Sequence, residues 1–229
     1  MKVFAISDLH LSAAVEKPMD VFGDGWQNHF DRVRESWLSQ VTDEDLVLLG
    51  GDISWGLTLE EAAPDYHSVA RLPGKKAVVK GNHDYYWTSL CKMSAAFPCF
   101  TFIQNNCARF ENVIVAGSRG WTIPSDDTPE SDLKIFRREL GRLELSLSSA
   151  EKIRTPDDIV VALLHFPPFD AKYGDSEVTE ILKKHSVDKV LYGHLHGKNA
   201  RVTPVVTKDG TDYILTSCDL VDNKLVRVL

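Results

Sequence analysis

Five short motifs in this chain of 229 residues combine histidine, aspartate and asparagine in a way that suits metal binding. Each motif follows a short aliphatic run, as residues at the end of a buried strand would. The motifs are Asp8-Leu9-His10, Gly51-Asp52, Gly81-Asn82-His83-Asp84, His165, and Gly193-His194-Leu195-His196. Imidazole, carboxylate and carboxamide groups without thiolate suit manganese, iron, zinc or cobalt, but not copper(I) or an iron–sulfur cluster. The sequence therefore predicts a site for divalent metal.

The aliphatic runs that precede the motifs predict an α/β fold. They cover residues 3–7, 45–49, 76–80, 113–116, 159–164 and 187–192, and amphipathic segments separate several of them. Because ligands bind where the carboxyl ends of strands converge in such a fold, the motifs should meet at one edge of the sheet. A C-terminal hairpin, with strands at 200–206 and 212–216, and a further strand at 224–228 predict that the sheet is mixed.

One predicted helix, over residues 128–147, carries a regular stripe of large apolar side chains. Its N-cap would be Thr128, and the stripe comprises Leu133, Phe136, Leu140, Leu143 and Leu147. Packing of this stripe on the core is the favoured interpretation, with a lid or a dimer contact as alternatives. Since no repeat, low-complexity tract or linker divides the sequence, residues 1–229 are predicted to form a single domain.

Composition limits the possible partners. The formal net charge of −7 argues against coating of a nucleic-acid backbone, which requires clustered basic residues, although a small nucleotide stays compatible. No apolar run resembles a membrane span or a signal peptide, and four cysteines without a C-x-x-C pair are too sparse for a disulfide framework. These features predict a cytoplasmic protein without a membrane partner, and they leave its oligomeric state open.

The five motifs, in this order over residues 8–196, resemble those of the calcineurin-like metallophosphoesterase superfamily. The resemblance implies a four-layer αββα sandwich of mixed sheets, with two divalent ions at the carboxyl ends of the strands. It implies one ion held by Asp8, His10, Asp52 and His196. It implies a second ion held by Asp52 again, Asn82, His165 and His194.

The resemblance also implies hydrolysis of a phosphate ester, either a monoester or a diester of a small molecule. Hydroxide bridging the two ions would attack phosphorus in line with the leaving group. His83 would stabilise the developing charge or protonate the leaving oxygen, and Asp84 would hydrogen-bond to the His83 ring.

Several alternatives stay open at this stage. A non-catalytic protein-interaction module occurs on the same fold, but in that branch the histidine found here at position 83 is lost. A metal-dependent nuclease would need a basic groove, which the acidic composition disfavours. Arg119 could bind a substrate phosphate or lie on the surface, and the aromatic run at residues 85–87 could line a pocket or pack in the core.

Overall fold

A computed structural model of the protein describes residues 1–197, 200 and 202–229. The strands in this part of the chain are β1 (Val3–Ile6), β2 (Leu46–Leu49), β3 (Lys75–Val78), β4 (Phe100–Phe102), β5 (Cys107–Phe110), β6 (Val113–Ser118), β7 (Ile159–Leu164), β8 (Lys189–Tyr192), β9 (Val205–Lys208), β10 (Thr211–Leu215) and β11 (Val226–Arg227). The helices are α1 (His29–Gln40), α2 (Leu59–Ala70), α3 (Leu90–Ala96), α4 (Glu130–Glu151) and α5 (Glu177–Lys184). Short 3₁₀ helices cover Met19–Phe22, Asp24–Trp26 and Cys218–Val221.

The strands form two mixed sheets. The first has the order β11-β1-β2-β3-β4, in which β1 to β4 are parallel and β11 is antiparallel to β1. The second has the order β5-β6-β7-β8-β10-β9, in which only the edge strands β5 and β9 run antiparallel to their neighbours. The prediction of mixed sheets is confirmed.

Successive residues of the central strands point to opposite faces and so belong to different cores. In β2, Val47 and Leu49 pack with residues of α1, α2 and α3, whereas Leu46 and Leu48 pack against the second sheet. In β7, Leu164 packs with residues of α4 and α5. The layers are therefore helices, sheet, sheet and helices, which confirms the predicted αββα sandwich.

The helix predicted over residues 128–147 is α4, and its stripe lies on the second sheet. Phe136, Leu143 and Leu147 are buried in the cluster between α4, α5 and that sheet, so the interpretation as core packing is confirmed. The N-cap is Pro129, one residue later than predicted, and the helix covers Glu130–Glu151. The Thr128 hydroxyl instead accepts a hydrogen bond from the Ser125 N–H in the preceding turn (2.7 Å).

Several strands differ from the sequence prediction. Strands β4 and β5 have only three and four residues and were not predicted, because so short a segment carries little periodicity. The first strand of the C-terminal hairpin is β9 at Val205–Lys208; the predicted span 200–206 includes residue 201, which lies outside the described residues. Within the described residues, no helix is long and apolar enough to cross a membrane.

Candidate metal centre and active site

The topology brings all five motifs to one end of the sandwich. Asp8, Asp52 and Asn82 follow β1, β2 and β3, which are adjacent parallel strands of the first sheet. His165 and His194 follow β7 and β8, which are adjacent parallel strands of the second sheet. The candidate site therefore lies where the carboxyl ends of the two sheets meet, as the α/β pattern predicted.

Sharp turns at the strand ends direct the side chains inward. Asp8, His10, Asp52 and His194 all have left-handed backbone conformations, with φ of 63°, 47°, 52° and 70°. Such conformations cost energy for residues with a side chain and are enriched where the surrounding structure holds a functional site in place. The concentration of four of them here distinguishes this end of the sandwich from an ordinary set of loops.

Two glycines allow the carboxylates to approach the backbone closely. A Cβ atom at Gly81 would lie 2.0 Å from Asp52 Oδ1, and one at Gly193 would lie 2.4 Å from Asp8 Oδ2. Neither distance is compatible with a side chain, so any other residue would displace the neighbouring carboxylate. Glycine permits this close approach because it has no Cβ atom.

The first group of candidate ligands contains Asp8, His10 and His196, whose ligand atoms all lie within 4.8 Å of one another. His196 Nε2 lies 3.5 Å from Asp8 Oδ1. That oxygen is buried and has no hydrogen-bond partner among the described residues. An unpaired buried carboxylate oxygen is costly, and a bound cation would satisfy it.

A second group contains Asp8, Asp52 and His165, again with ligand atoms within 4.8 Å of one another. Asp52 Oδ2 lies 3.8 Å from His10 Nε2 and 3.4 Å from His165 Nε2. The resemblance had placed these two histidines on different ions. Asp52 Oδ2 therefore lies between the rings of His10 and His165, although the residue common to both groups of ligand atoms is Asp8.

The hydrogen bonds of His165 also fit a cation. Its Nδ1 lies 2.9 Å from the carbonyl oxygen of Gly50, which can only accept, so the proton resides on Nδ1 and a neutral ring has a lone pair at Nε2. That lone pair faces the side-chain oxygen of Asn82 at 2.6 Å and Asp52 Oδ2 at 3.4 Å. A nitrogen lone pair that faces two oxygen atoms at such distances is an arrangement that a divalent ion would stabilise.

His194 is held differently from the other histidines. Its backbone N–H donates to Asp8 Oδ2 (2.9 Å), and its ring packs on Phe166 with centroids 3.9 Å apart. The ring centroid lies 5.1 Å from that of His165. The structure thus brings His194 beside the site, but outside both groups of mutually close ligand atoms.

A carboxylate that the sequence analysis missed supports His196. Asp219 accepts hydrogen bonds from His196 Nδ1 and from the Gly197 N–H, both at 2.8 Å. This fixes the ring with Nε2 toward Asp8, an arrangement typical of metal-binding histidines. Asp219 lies in the 3₁₀ helix that follows β10, far from any motif in sequence, so no spacing could have identified it.

Asp84 differs from its predicted role. Its two oxygens accept hydrogen bonds from the backbone N–H groups of Asp52 (2.9 Å), Ile53 (2.9 Å) and Gly81 (2.6 Å) and from the Tyr86 hydroxyl (2.6 Å). No hydrogen bond joins Asp84 to the His83 ring, both residues being described. The fully buried carboxylate instead ties the second motif to the third.

Burial and neighbouring charges shift the pKa values of the aspartates and histidines in the site. Burial, with the nearby carboxylates of Asp84 and Asp8, raises the pKa of Asp52 well above its usual value. Burial lowers the pKa of His10 to about 3 and that of His194 to about 4. Burial opposes the charged form of His196 as well, but Asp219 and Asp8 raise its pKa to about 10. Cations bound among these carboxylates would relieve their mutual repulsion.

His83 lies at the mouth of the site and leaves its ring available. Its backbone N–H donates to Asp52 Oδ1 (2.7 Å), which fixes the residue beside the candidate ligands. Burial, together with the charge of His165, lowers the pKa of the half-buried His83 ring. The ring lines a pocket of about 310 Å³ whose other walls include Trp26 and Trp55.

Neither Arg119 nor the aromatic run at residues 85–87 lines the pocket. Arg119 is largely buried and pairs with Glu139 of α4 (3.2 Å), so it is neither a surface residue nor directed at the pocket. In the aromatic run, Tyr86 and Trp87 pack in the hydrophobic cluster between the first sheet and helices α1, α2 and α3, while Tyr85 is exposed. The aromatic walls come instead from Trp26 and Trp55, which the sequence analysis had not assigned to the site.

Comparison with known proteins relates most of the chain to one family. The family model for calcineurin-like phosphoesterases matches residues 1–198, whereas no curated protein matches the sequence. The crystal structure of TT1561 of Thermus thermophilus is similar, with a TM-score of 0.64 at 16% identity over 99% of this chain and 97% of that chain. The protein of unknown function AQ665 from Aquifex aeolicus has a TM-score of 0.51 at 16% identity, over 99% and 95%. At such identities these two structures show the fold alone.

Proposed function

Because the chain belongs to the calcineurin-like phosphoesterase family, we propose that it is a dimetal hydrolase of small phosphate esters, either monoesters or diesters. Phosphoester hydrolysis that depends on metal is the activity that this family suggests, and the chain contains groups that could hold metal. The finer proposal is supported most directly by the approach of the Asn82 side-chain oxygen (2.6 Å) and Asp52 Oδ2 (3.4 Å) to His165 Nε2.

The residues proposed to hold the ions are those of the motifs. Asp8, His10, Asp52 and His196 would hold one ion, and Asp52, Asn82, His165 and His194 would hold the other. Manganese, iron, zinc and cobalt all suit this set of nitrogen and oxygen donors. When bound, such ions lower the pKa of water and neutralise charge on a phosphoryl group.

The protein's own groups would orient the ester and manage the proton. His83 lines the pocket beside the candidate ligands, and its backbone is fixed by Asp52, so the ring can reach a leaving oxygen or an equatorial phosphate oxygen. Asp84 would act as a positioning residue, because its bonds to backbone N–H groups hold Asp52 and Gly81 in register.

The test is hydrolysis of p-nitrophenyl phosphate and bis-p-nitrophenyl phosphate by purified protein supplied with manganese, alongside metal analysis. We expect about two ions per chain and turnover that chelation abolishes. The variant His83→Ala should keep its metal and lose about 10²-fold or more in kcat, because general acid catalysis contributes on that scale.

The matched control is His67→Ala, which removes an exposed histidine near the end of α2. Its kcat and metal content should equal those of the unmodified protein. Absence of metal after manganese is supplied, or undiminished turnover in His83→Ala, would contradict the proposed site.

A further inference from the structure

The pocket beside the candidate metal centre is lined mainly by aromatic side chains. Its lining is formed by His10, Met19, Phe22, Trp26, Trp55, His83, His196 and Gly197. Three of these residues are the imidazoles of the candidate site, and the others, apart from Gly197, are large apolar side chains. Its volume of about 310 Å³ is at the lower end of the range for pockets that bind small molecules.

The apolar residues of the pocket are arranged around the histidines of the site. Trp55 stacks on His10 with centroids 4.8 Å apart and lies 4.5 Å from the His83 ring. Trp26 lies 5.4 Å from the His196 ring. A ligand whose phosphate reaches the candidate metal ligands, and whose remaining part enters this pocket, would lie against these two indoles.

The Phe22 side chain lines the pocket but is not buried by the rest of the protein. It lies on the 3₁₀ helix at Met19–Phe22, and it is 70% exposed although it lines the pocket. Large apolar side chains left open beside a concave site typically contact a ligand. A hydrogen bond holds the Trp55 ring in place beside this helix, because its Nε1–H donates to Met19 Sδ (3.2 Å).

Lys17 adds a positive charge at the same place. Its ammonium lies 4.6 Å from the centroid of the Trp55 ring. The flexible four-carbon stem allows the ammonium to leave the ring when a flat group replaces it. The charge would then meet the anionic part of the ligand.

From this arrangement we infer that the pocket binds an aromatic ring carried by the phosphate ester, of the size of a phenyl group or a nucleobase. The inference rests on the proposed function, since the phosphate of the same ligand would lie at the candidate metal centre. Stacking on the indole and phenyl rings would supply specificity for the ester, whereas the histidines and aspartates of the motifs would act on the phosphate.

The experiment compares phenylphosphonate with cyclohexylphosphonate, which both carry a phosphonate group on a six-carbon ring but differ in aromaticity, at a pH high enough for both to be dianions. Their carbon–phosphorus bonds remove turnover from the measurement. With manganese-supplied protein, calorimetry should show that phenylphosphonate binds at least about fivefold more tightly, the lower end of the range for stacking on one aromatic side chain. Trp55→Leu should abolish the difference, and Trp55→Phe should keep most of it.

Phe22→Ala should weaken phenylphosphonate binding, whereas Leu38→Ala, at another exposed apolar residue, should leave the dissociation constant unchanged. Equal affinity for the two phosphonates, or no binding of either, would overturn the inference. A protein that shows the aromatic preference but hydrolyses neither nitrophenyl ester would contradict the proposed function and leave the pocket assignment intact.

Discussion

At the level of single residues, the carboxylates of this site divide into two kinds. Asp8 and Asp52 each keep an oxygen directed at imidazole nitrogens, as ligands of a cation would. Asp84 and Asp219 use their oxygens on backbone N–H groups and on neighbouring side chains. The second kind sets the geometry of the first, because a carboxylate that bonds several N–H groups holds separate segments of chain together.

We predict that Asp84→Asn destabilises the protein. An amide offers one acceptor oxygen where the carboxylate has two, so buried N–H groups lose partners. The free energy of unfolding should fall by about 2 kcal/mol or more, with a melting temperature lower by roughly 4 °C or more. Urea and thermal unfolding would measure both, with Asp126→Asn, in the exposed loop before α4, as the unchanged control. Equal stability of the two variants would contradict the positioning role.

At the level of elements, the turns that follow neighbouring strands of the site contact each other. Gly81 follows β3 and lies against Asp52, which follows β2. The two turns thus interlock, and the parallel pairing of β2 with β3 fixes their relative height. The metal site is consequently a property of adjacent strand ends and does not depend on one flexible loop.

Substitution of glycine by alanine should therefore have opposite effects at two positions. Gly81→Ala places a Cβ atom 2.0 Å from Asp52 Oδ1, so it should lower the free energy of unfolding by about 1–3 kcal/mol and reduce bound manganese. Gly141→Ala lies in α4, where a Cβ atom meets nothing within 4 Å, and should raise stability by about 0.5–1 kcal/mol. Chemical unfolding and metal analysis of both variants would check this. A Gly81→Ala protein with normal metal content would refute the argument.

At the level of the whole molecule, the two sheets share one core and are joined at the site. Leu48 and Leu163 belong to the cluster between the sheets. The C-terminal part of the chain also connects the two sheets. The Ser7 N–H after β1 donates to the Thr216 carbonyl after β10 (2.8 Å), and β11 pairs with β1 in the first sheet. We propose on this basis that residues 1–229 form a single domain that unfolds cooperatively.

Hydrogen exchange in increasing urea tests that proposal. Amides of β2 and of β7 should open with the same free energy, matching the transition seen by circular dichroism. Leu163→Ala should lower both values by about 2–5 kcal/mol, because it creates a cavity between the sheets. If only the second sheet lost protection, the chain would consist of two separate units.

Local sequence was enough to predict the family of the protein, its α/β fold and the strands that precede the motifs. The motifs identified the family, and aliphatic runs before each motif predicted five of the strands whose ends carry them. Those signals are local, because a buried strand and a sharp turn impose their residue types within a few positions of the chain.

The groups that surround the motifs, in contrast, are set by the way the chain packs. Asp219 reaches His196 across 23 positions of sequence, and Asp84 turns from its neighbour His83 to backbone N–H groups 31 and 32 positions away. Trp26 and Trp55 become walls of one pocket, although Trp26 ends a 3₁₀ helix before α1 and Trp55 lies between β2 and α2. Such partnerships depend on how two sheets and their loops pack, and packing depends on contacts distant in sequence, which no local pattern records.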